Sequence, residues 1–446
     1  MKRLKALWPP LSIFGVATCI RILYNLTAGK GYIALNDAAQ YERIGRNLLN
    51  NHCFCDLASV PSTGRAPLWP GIIAAVYGIT GSDNVHVRLF LSLLGAGTCV
   101  VLYCFAKDLF GKRIALLTGL MGAISPTLFV YDGWLYSESL FTFFFLLFTY
   151  ALYRTQKTAQ IRWIIVSGIA AGLGVLTRQN EVITFGMIFL WCILVGGKRL
   201  LSWRITAKLG ILITLLTIIL ILPWSIRNYM VSHEIIPVAT GSGTILAGAY
   251  NNTVLENSLL GRRGMWVPPD MAQPTIVYQS KCCNIWGEQP EQTAYALQWI
   301  TTHLSTMPKL LTLHFINIWW PAAPDGVLPI GQFPTRLSSR IIKSSLGAIP
   351  PLIFLLATAG LLATWKKKWR EFLPLYLAIG LTIAQCIALY GSVRFRAPID
   401  PMLILLVAGF FWWLGETKEV KLWLSRFNQH ESSQLPQAQE TKEKRT

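Results

Sequence analysis

Long apolar runs, each near the length a helix needs to cross a hydrocarbon layer, alternate with short polar joints along most of the chain. The pattern predicts spans near 9–29, 86–106, 114–131, 139–153, 163–178, 182–197, 209–227, 345–365, 372–391 and 397–415. Two stretches break the pattern. The first, 30–85, holds a segment, 37–50, in which Ala38, Tyr41, Ile44, Leu48 and Leu49 recur at helical spacing. A short apolar piece, 66–80, follows; it is too short to cross and is placed at the interface or as a re-entrant element. The second stretch, 228–344, is the large polar block, read as a small extracytoplasmic region with a helix over 290–320. The chain thus divides into an N-terminal transmembrane module (1–227) with its outer loop 30–85, the region 228–344, C-terminal membrane helices (345–415) and a polar, disordered cytoplasmic tail (416–446). No repeat is visible.

Composition narrows the class. Of 446 residues only 14% are charged, against about 25% in soluble domains, so a cytosolic enzyme is excluded. The net charge of +19 does not mark a nucleic-acid binder, because the apolar runs leave too little water-facing surface for such a groove. The basic residues instead report orientation. Lys2/Arg3/Lys5, Lys107/Lys112/Arg113, Arg154/Lys157/Arg162, Lys198/Arg199/Arg204/Lys208, Lys366–Lys368 with Arg370, and the tail from Lys418 occupy every second connection. With ten spans all of these fall on one side, which puts both termini in the cytoplasm of a multi-pass inner-membrane protein. Arg21 interrupts the first apolar run, which reads as a retained helix and not as a cleaved leader.

Charges at the other ends of the helices are where chemistry is sought. Asp37 starts the amphipathic segment, either as an N-cap or as a surface carboxylate able to act as base or metal ligand. Arg65 precedes Ala66-Pro67-Leu68-Trp69-Pro70 and suits an anionic headgroup, substrate or bulk lipid. Asp132 and Glu138 bracket a short outer turn, Glu138 where a negative charge also suits the helix dipole. Arg178 ends another helix, with Glu181 near enough for a local pair. Arg394 and Arg396 oppose the positive-inside bias, so a phosphate, of substrate or of lipid, is expected to hold them. No P-loop, dinucleotide fingerprint, HExxH or nucleophile elbow occurs, and no histidine pair has ligand spacing. Five of nine cysteines lie in spans; Cys53, Cys55, Cys282 and Cys283 lie outside, where they would pair, tying the first loop to the large one, or bind zinc.

Five segments, taken in order, resemble the integral-membrane glycosyltransferases of the GT-C class, in particular the dolichyl-phosphate-mannose mannosyltransferase-like family. This group includes the lipid A aminoarabinose transferases and lipopolysaccharide-core sugar transferases. The segments are Asn36-Asp37-Ala38-Ala39-Gln40-Tyr41; Gly64-Arg65-Ala66-Pro67-Leu68-Trp69-Pro70-Gly71; Ser125-Pro126 with Tyr136-Ser137-Glu138-Ser139-Leu140; Leu176-Thr177-Arg178; and Pro223-Trp224-Ser225-Ile226-Arg227-Asn228-Tyr229 with Ile236-Pro237-Val238. The resemblance implies an all-α polytopic GT-C fold with interfacial helices in the first loop. It also implies inverting transfer of a hexosyl or pentosyl group from a polyprenyl-phosphate sugar to a glycolipid, lipopolysaccharide or protein on the extracytoplasmic face. Asp37 and Glu138 take the acid positions, with Asp132 as a second-acid alternative. Arg65, Arg178, Arg394 and Arg396 are assigned to the lipid phosphate. A lone Asp37, where several relatives have an acidic pair, weakens the case for a divalent metal, which stays open. Two other readings remain: a flippase or transporter of lipid-linked sugars, and a lipid-linked oligosaccharide ligase or polymerase. The absence of a repeat and the gathering of charge at one face favour the transferase.

Overall fold

Runs rich in Leu, Ile, Phe and Ala fold as helices throughout this computed structural model, which describes residues 2–57, 60–179, 181–198, 200–256, 263–269, 290–320 and 335–416. Among the described residues no strand forms; one isolated bridge joins Cys55 to Pro61. In chain order the helices are α1 (Lys2–Leu26), α2 (Asp37–Asn51), α3 (Leu68–Thr80), α4 (Asn84–Phe110), α5 (Lys112–Ile124), α6 (Pro126–Phe129), α7 (Glu138–Thr158), α8 (Ile161–Thr177), α9 (Glu181–Gly197) and α10 (Trp203–Ser232). They continue as α11 (Ser242–Ala249), α12 (Asn252–Glu256), α13 (Pro290–Thr302), α14 (Met307–Ile318), α15 (Arg336–Ala388), α16 (Val393–Arg396) and α17 (Asp400–Glu416).

Five helical stretches are long and apolar enough to cross a membrane: Leu7–Leu26, α4, α10, α15 and Val393–Glu416. A bent pair, Lys112–Ile124 with Pro126–Gly133, makes a sixth if counted as one span, the two arms meeting at 53°. The bend has a local cause. Pro126 lacks an amide hydrogen and holds Ser125 extended (ψ 118°), so the helix ends there. Of the ten expected spans, these five or six are the ones that pass on length and apolarity alone among the described residues; α8 and α9, at 17 residues each, are apolar but shorter. The spans expected at 345–365 and 372–391 are two arms of α15, which breaks at Lys368 (φ −135°) inside the basic run. The helix expected over 290–320 is also two, because Pro308 can sit in a first turn but not in a helix interior.

Many large apolar side chains face outward, among them Leu11, Leu23, Ile211, Ile219, Leu355 and Leu362. In lipid such a surface is the solvated one, so α1, α10 and α15 present an apolar belt while their opposite faces pack. The main core gathers Ala96, Leu102, Phe105, Phe141, Phe148, Trp191, Phe372 and Leu405 from five helices. A second core, built on Tyr41, Trp69, Ile73, Trp134 and Leu135, seats the first-loop helices α2 and α3 on the turn before α7. Close approach at Gly45 locks these two helices together: a Cβ there would lie 2.7 Å from Ile73 and 3.2 Å from the Pro70 carbonyl.

At one end of the bundle the basic joints meet. Arg154 and Tyr150 hold Asp108, and Lys368 donates to the Leu109 carbonyl at 2.9 Å. The opposite end of α7 begins at Glu138. Residues 417–446, including the predicted tail, lie outside the described residues, as do 270–289, with Cys282 and Cys283.

Candidate active site

Five side chains predicted from different parts of the sequence form one continuous ion-pair chain. Arg65 Nη2 donates to Asp37 Oδ1 at 2.6 Å, and Arg394 Nη1 donates to Asp37 Oδ2 at 2.6 Å. Through its Nε, Arg394 also donates to Glu138 Oε1, which accepts from Arg178 Nη1 at 2.8 Å. Three guanidinium groups face two carboxylates, so the cluster keeps an excess positive charge.

Each member is placed by its element. Asn36, at positive φ (53°) with ψ −128°, turns the chain into α2, so Asp37 is the first helical residue and caps nothing with its side chain. Arg65 leads into α3, which Trp69 pins to the next turn by donating from Nε1 to the Leu135 carbonyl at 2.9 Å. That turn delivers Glu138 to the start of α7. Arg178 follows the last turn of α8. Arg394 lies on α16, whose N-cap Ser392 accepts from the Arg394 amide at 3.2 Å. Aromatic faces flank the cations: Arg65 over Tyr41 (5.2 Å), Arg394 over Tyr136 (4.4 Å) and Arg178 over Phe395 (4.7 Å).

The two carboxylates differ. Asp37 is 30% exposed at its side chain, whereas Glu138 is fully buried, and its Oε2 has no hydrogen-bond partner. Burial alone would raise the Asp37 pKa, but Arg65 and Arg394 outweigh it and hold the carboxyl below the usual carboxylate range. Burial pushes the neighbouring Tyr136 phenol up to about 12.

Beside this cluster opens a cavity of about 320 Å³, lined mainly by apolar side chains including Phe141, Cys386, Leu389, Tyr390 and Phe395. Arg178 belongs to both: it pairs with Glu138 and lines the cavity.

Two predicted residues do not join the cluster. Arg396 is buried and pairs with Asp400 (2.9 Å), donating also to the Ile318 carbonyl (2.7 Å). On a one-turn helix, positions two apart point in opposed directions, so Arg394 and Arg396 must diverge. The i,i+4 spacing to Asp400 was the available signal. Asp132 likewise pairs with Arg21 at 2.6 Å, inside the packed helices. An arginine within an apolar span needs an acidic partner, and Asp132 supplies it.

Among the described residues no three His, Cys, Asp or Glu side chains gather as a metal site. A divalent cation fits poorly at Asp37 and Glu138, since Asp37 and Glu138 Oε1 already face guanidinium groups. Cys53 and Cys55 pair with each other, Cα atoms 5.2 Å apart, within the first loop. Sequence reasoning missed Gln40, which accepts from Arg65 Nε at 2.7 Å, although it shares a helix face with Asp37.

The architecture defines a class. The chain has the GT-C fold: it aligns over 96% of its length, and over 52% of the other chain, with the archaeal oligosaccharyltransferase AglB of Archaeoglobus fulgidus, solved with an inhibitory peptide and a dolichol-phosphate (TM-score 0.55, 14% identity). Residues 64–225 match the profile of the family described as dolichyl-phosphate-mannose-protein mannosyltransferase, a stretch that contains Arg65, Glu138 and Arg178. Two sequence relatives are an uncharacterised protein of Aquifex aeolicus and the provisionally assigned mannosyltransferase YkcB of Bacillus subtilis. The first is 28% identical over 224 residues (48% of this chain), the second 25% identical over 185 residues (42%). These alignments span 43% and 24% of the relatives' own lengths.

Proposed function

We propose that this chain is a membrane glycosyltransferase that moves a sugar from a polyprenyl-phosphate donor to an extracytoplasmic acceptor, with inversion at the anomeric carbon. The observation that carries the proposal is the double membership of Arg178, in the guanidinium–carboxylate cluster and in the wall of an apolar cavity. A polyprenyl phosphate has this division of character, greasy along its chain and anionic at its head. Displacing phosphate from the sugar builds negative charge on the leaving oxygen, which Arg178, Arg394 and Arg65 would stabilise. Asp37, the accessible carboxylate, would receive the acceptor hydroxyl and orient it for attack on the opposite face. Because its arginines keep it ionised, its contribution is charge and alignment in the first place; it takes the hydroxyl proton as the new glycosidic bond forms and the sugar–phosphate bond breaks. Glu138, buried and shared by two arginines, is the positioning residue that sets their spacing.

The location of the site supports an extracytoplasmic reaction: the cluster sits at the start of α7, and the basic residues Arg154 and Lys157 sit at its other end. The family match and the lipid-linked sugar chemistry of the class favour the same donor. Purified protein in nanodiscs, given radiolabelled sugars on polyprenyl phosphate and envelope glycolipids as acceptors, is expected to release free polyprenyl phosphate in step with labelled acceptor. Passage of intact lipid-linked sugar across proteoliposomes without release would overturn the transferase reading in favour of a flippase.

A further inference from the structure

Behind Arg65 lies a second layer of polar side chains. Gln40 Oε1 accepts from Arg65 Nε at 2.7 Å, and Gln40 Nε2 donates to Asp56 Oδ2 at 2.9 Å. The other Asp56 oxygen accepts from Arg43 Nε at 2.8 Å. Asp56 is buried, on a loop fixed from three sides: Asn47 Nδ2 donates to the carbonyls of Cys55 (3.0 Å) and Asp56 (2.8 Å), Ser62 N donates to the Phe54 carbonyl (2.8 Å), and Cys53 pairs with Cys55.

We infer that Asp56 and Gln40 are positioning residues: by fixing which end of the Gln40 amide faces Arg65, Asp56 sets the grip of Arg65 on Asp37, and thereby the strength of the ion pair at the acceptor-facing carboxylate. An amide side chain has an acceptor end and a donor end of nearly equal shape. An arginine tolerates only the acceptor end. A carboxylate at Asp56 accepts only, so it forces Nε2 toward itself and Oε1 toward Arg65. With asparagine at 56, either amide orientation can be satisfied, and the flipped one turns N–H groups against Arg65. The role of Asp37 in catalysis rests on the proposed transferase; the coupling of Asp56 to Asp37 does not.

The groups around Asp37 are Arg65 from the segment before α3, Arg394 from α16, Glu138 and Tyr136 at the start of α7, Tyr390 beyond α15, and Tyr41 on its own helix. Of these, among the described residues, Arg65 is the one whose side chain hydrogen-bonds Gln40, so a change at Asp56 reaches Asp37 by that route. An opposite charge at contact lowers an aspartate by roughly 1–3 units, so loosening one of the two arginines should raise the Asp37 midpoint by about one unit.

The test is infrared titration of the full chain in nanodiscs, with the Asp37 signal isolated by subtracting Asp37→Asn. In Asp56→Asn the protonated carboxyl band of Asp37 is expected at higher pH than in the parent, and Gln40→Leu should give the same shift. The double variant should add nothing further, since both act on one relay. In turnover assays any acid limb set by Asp37 lies below about pH 5, and in Asp56→Asn it should move up by the same amount while turnover above that pH holds. Coincident Asp37 titrations in the parent, Asp56→Asn and Gln40→Leu would overturn the inference even if transfer is confirmed. Shifted titrations in a protein that transfers no sugar would uphold it and sink the transferase reading.

Discussion

Arg394 and Asp37 are 357 positions apart, yet a 2.6 Å hydrogen bond joins them. The contact closes the molecule on itself, bringing the joint between the last two long helices onto the first residue of the first-loop helix. The same guanidinium holds Glu138, so Arg394 is the hub through which both carboxylates are set.

Asp37→Asn should lower transfer by about 10²- to 10⁴-fold, the range attributed to a positioned acid–base group, while photo-crosslinking to a polyprenyl-phosphate probe persists. Undiminished turnover with true substrates would remove Asp37 from the reaction.

Arg394 and Arg396 should separate cleanly. Arg394→Lys cannot bridge two carboxylates with a planar fork, so it should lower turnover and weaken donor binding. Arg396→Ala leaves the buried Asp400 carboxylate unpaired, and its effect should appear as lost stability, about 3–5 kcal/mol, read from thermal unfolding in detergent. Equal loss of donor affinity in both variants would contradict the divergence of the two side chains.

The Arg21–Asp132 pair offers a test of the packed interior. Arg21→Leu alone should destabilise severely, because a buried carboxylate loses its counter-charge. Adding Asp132→Leu should recover much of the loss. A double variant no better than the single one would mean that the pair does more than balance charge.

The pH dependence follows from the sign of the Asp37 shift. Its folded pKa lies below the unfolded value near 3.9, so the ion pair's stabilisation is fully present above that value and fades as pH falls through the folded pKa. Between about pH 5 and 8, Asp37 therefore stays charged, and titration of Asp37 should give turnover no acid limb in that window in variants that keep both arginines. A profile measured with saturating donor checks it.

Much of the site was legible because charge at the end of an apolar helix is costly and therefore conspicuous: Asp37, Arg65, Glu138, Arg178 and Arg394 all stood out this way, and α2 runs over 37–51 where 37–50 was expected. The resemblance to the mannosyltransferase-like family reinforced the choice. What failed was direction. Arg396 and Asp132 carry the same charges at the same kind of position, but side-chain direction on a one-turn helix, and the demand of Arg21 within its span, send them elsewhere. Gln40 and Asp56 escaped notice because a neutral amide and a loop carboxylate look ordinary until the tertiary fold sets them in series. The number of spans is not settled by length alone, since a 17-residue apolar run such as α8 or α9 reads the same whether or not it crosses.

Helix α7 carries Glu138 as its first residue and Arg154 and Lys157 near its last, over 21 residues. At about 1.5 Å per residue this is roughly 30 Å, the thickness of a hydrocarbon core. The helix is thus a ruler between two charged collars. One inserted residue in its middle would lift Glu138 by about 1.5 Å and swing it by about 100°, out of reach of Arg394 and Arg178, without altering a single side chain of the cluster.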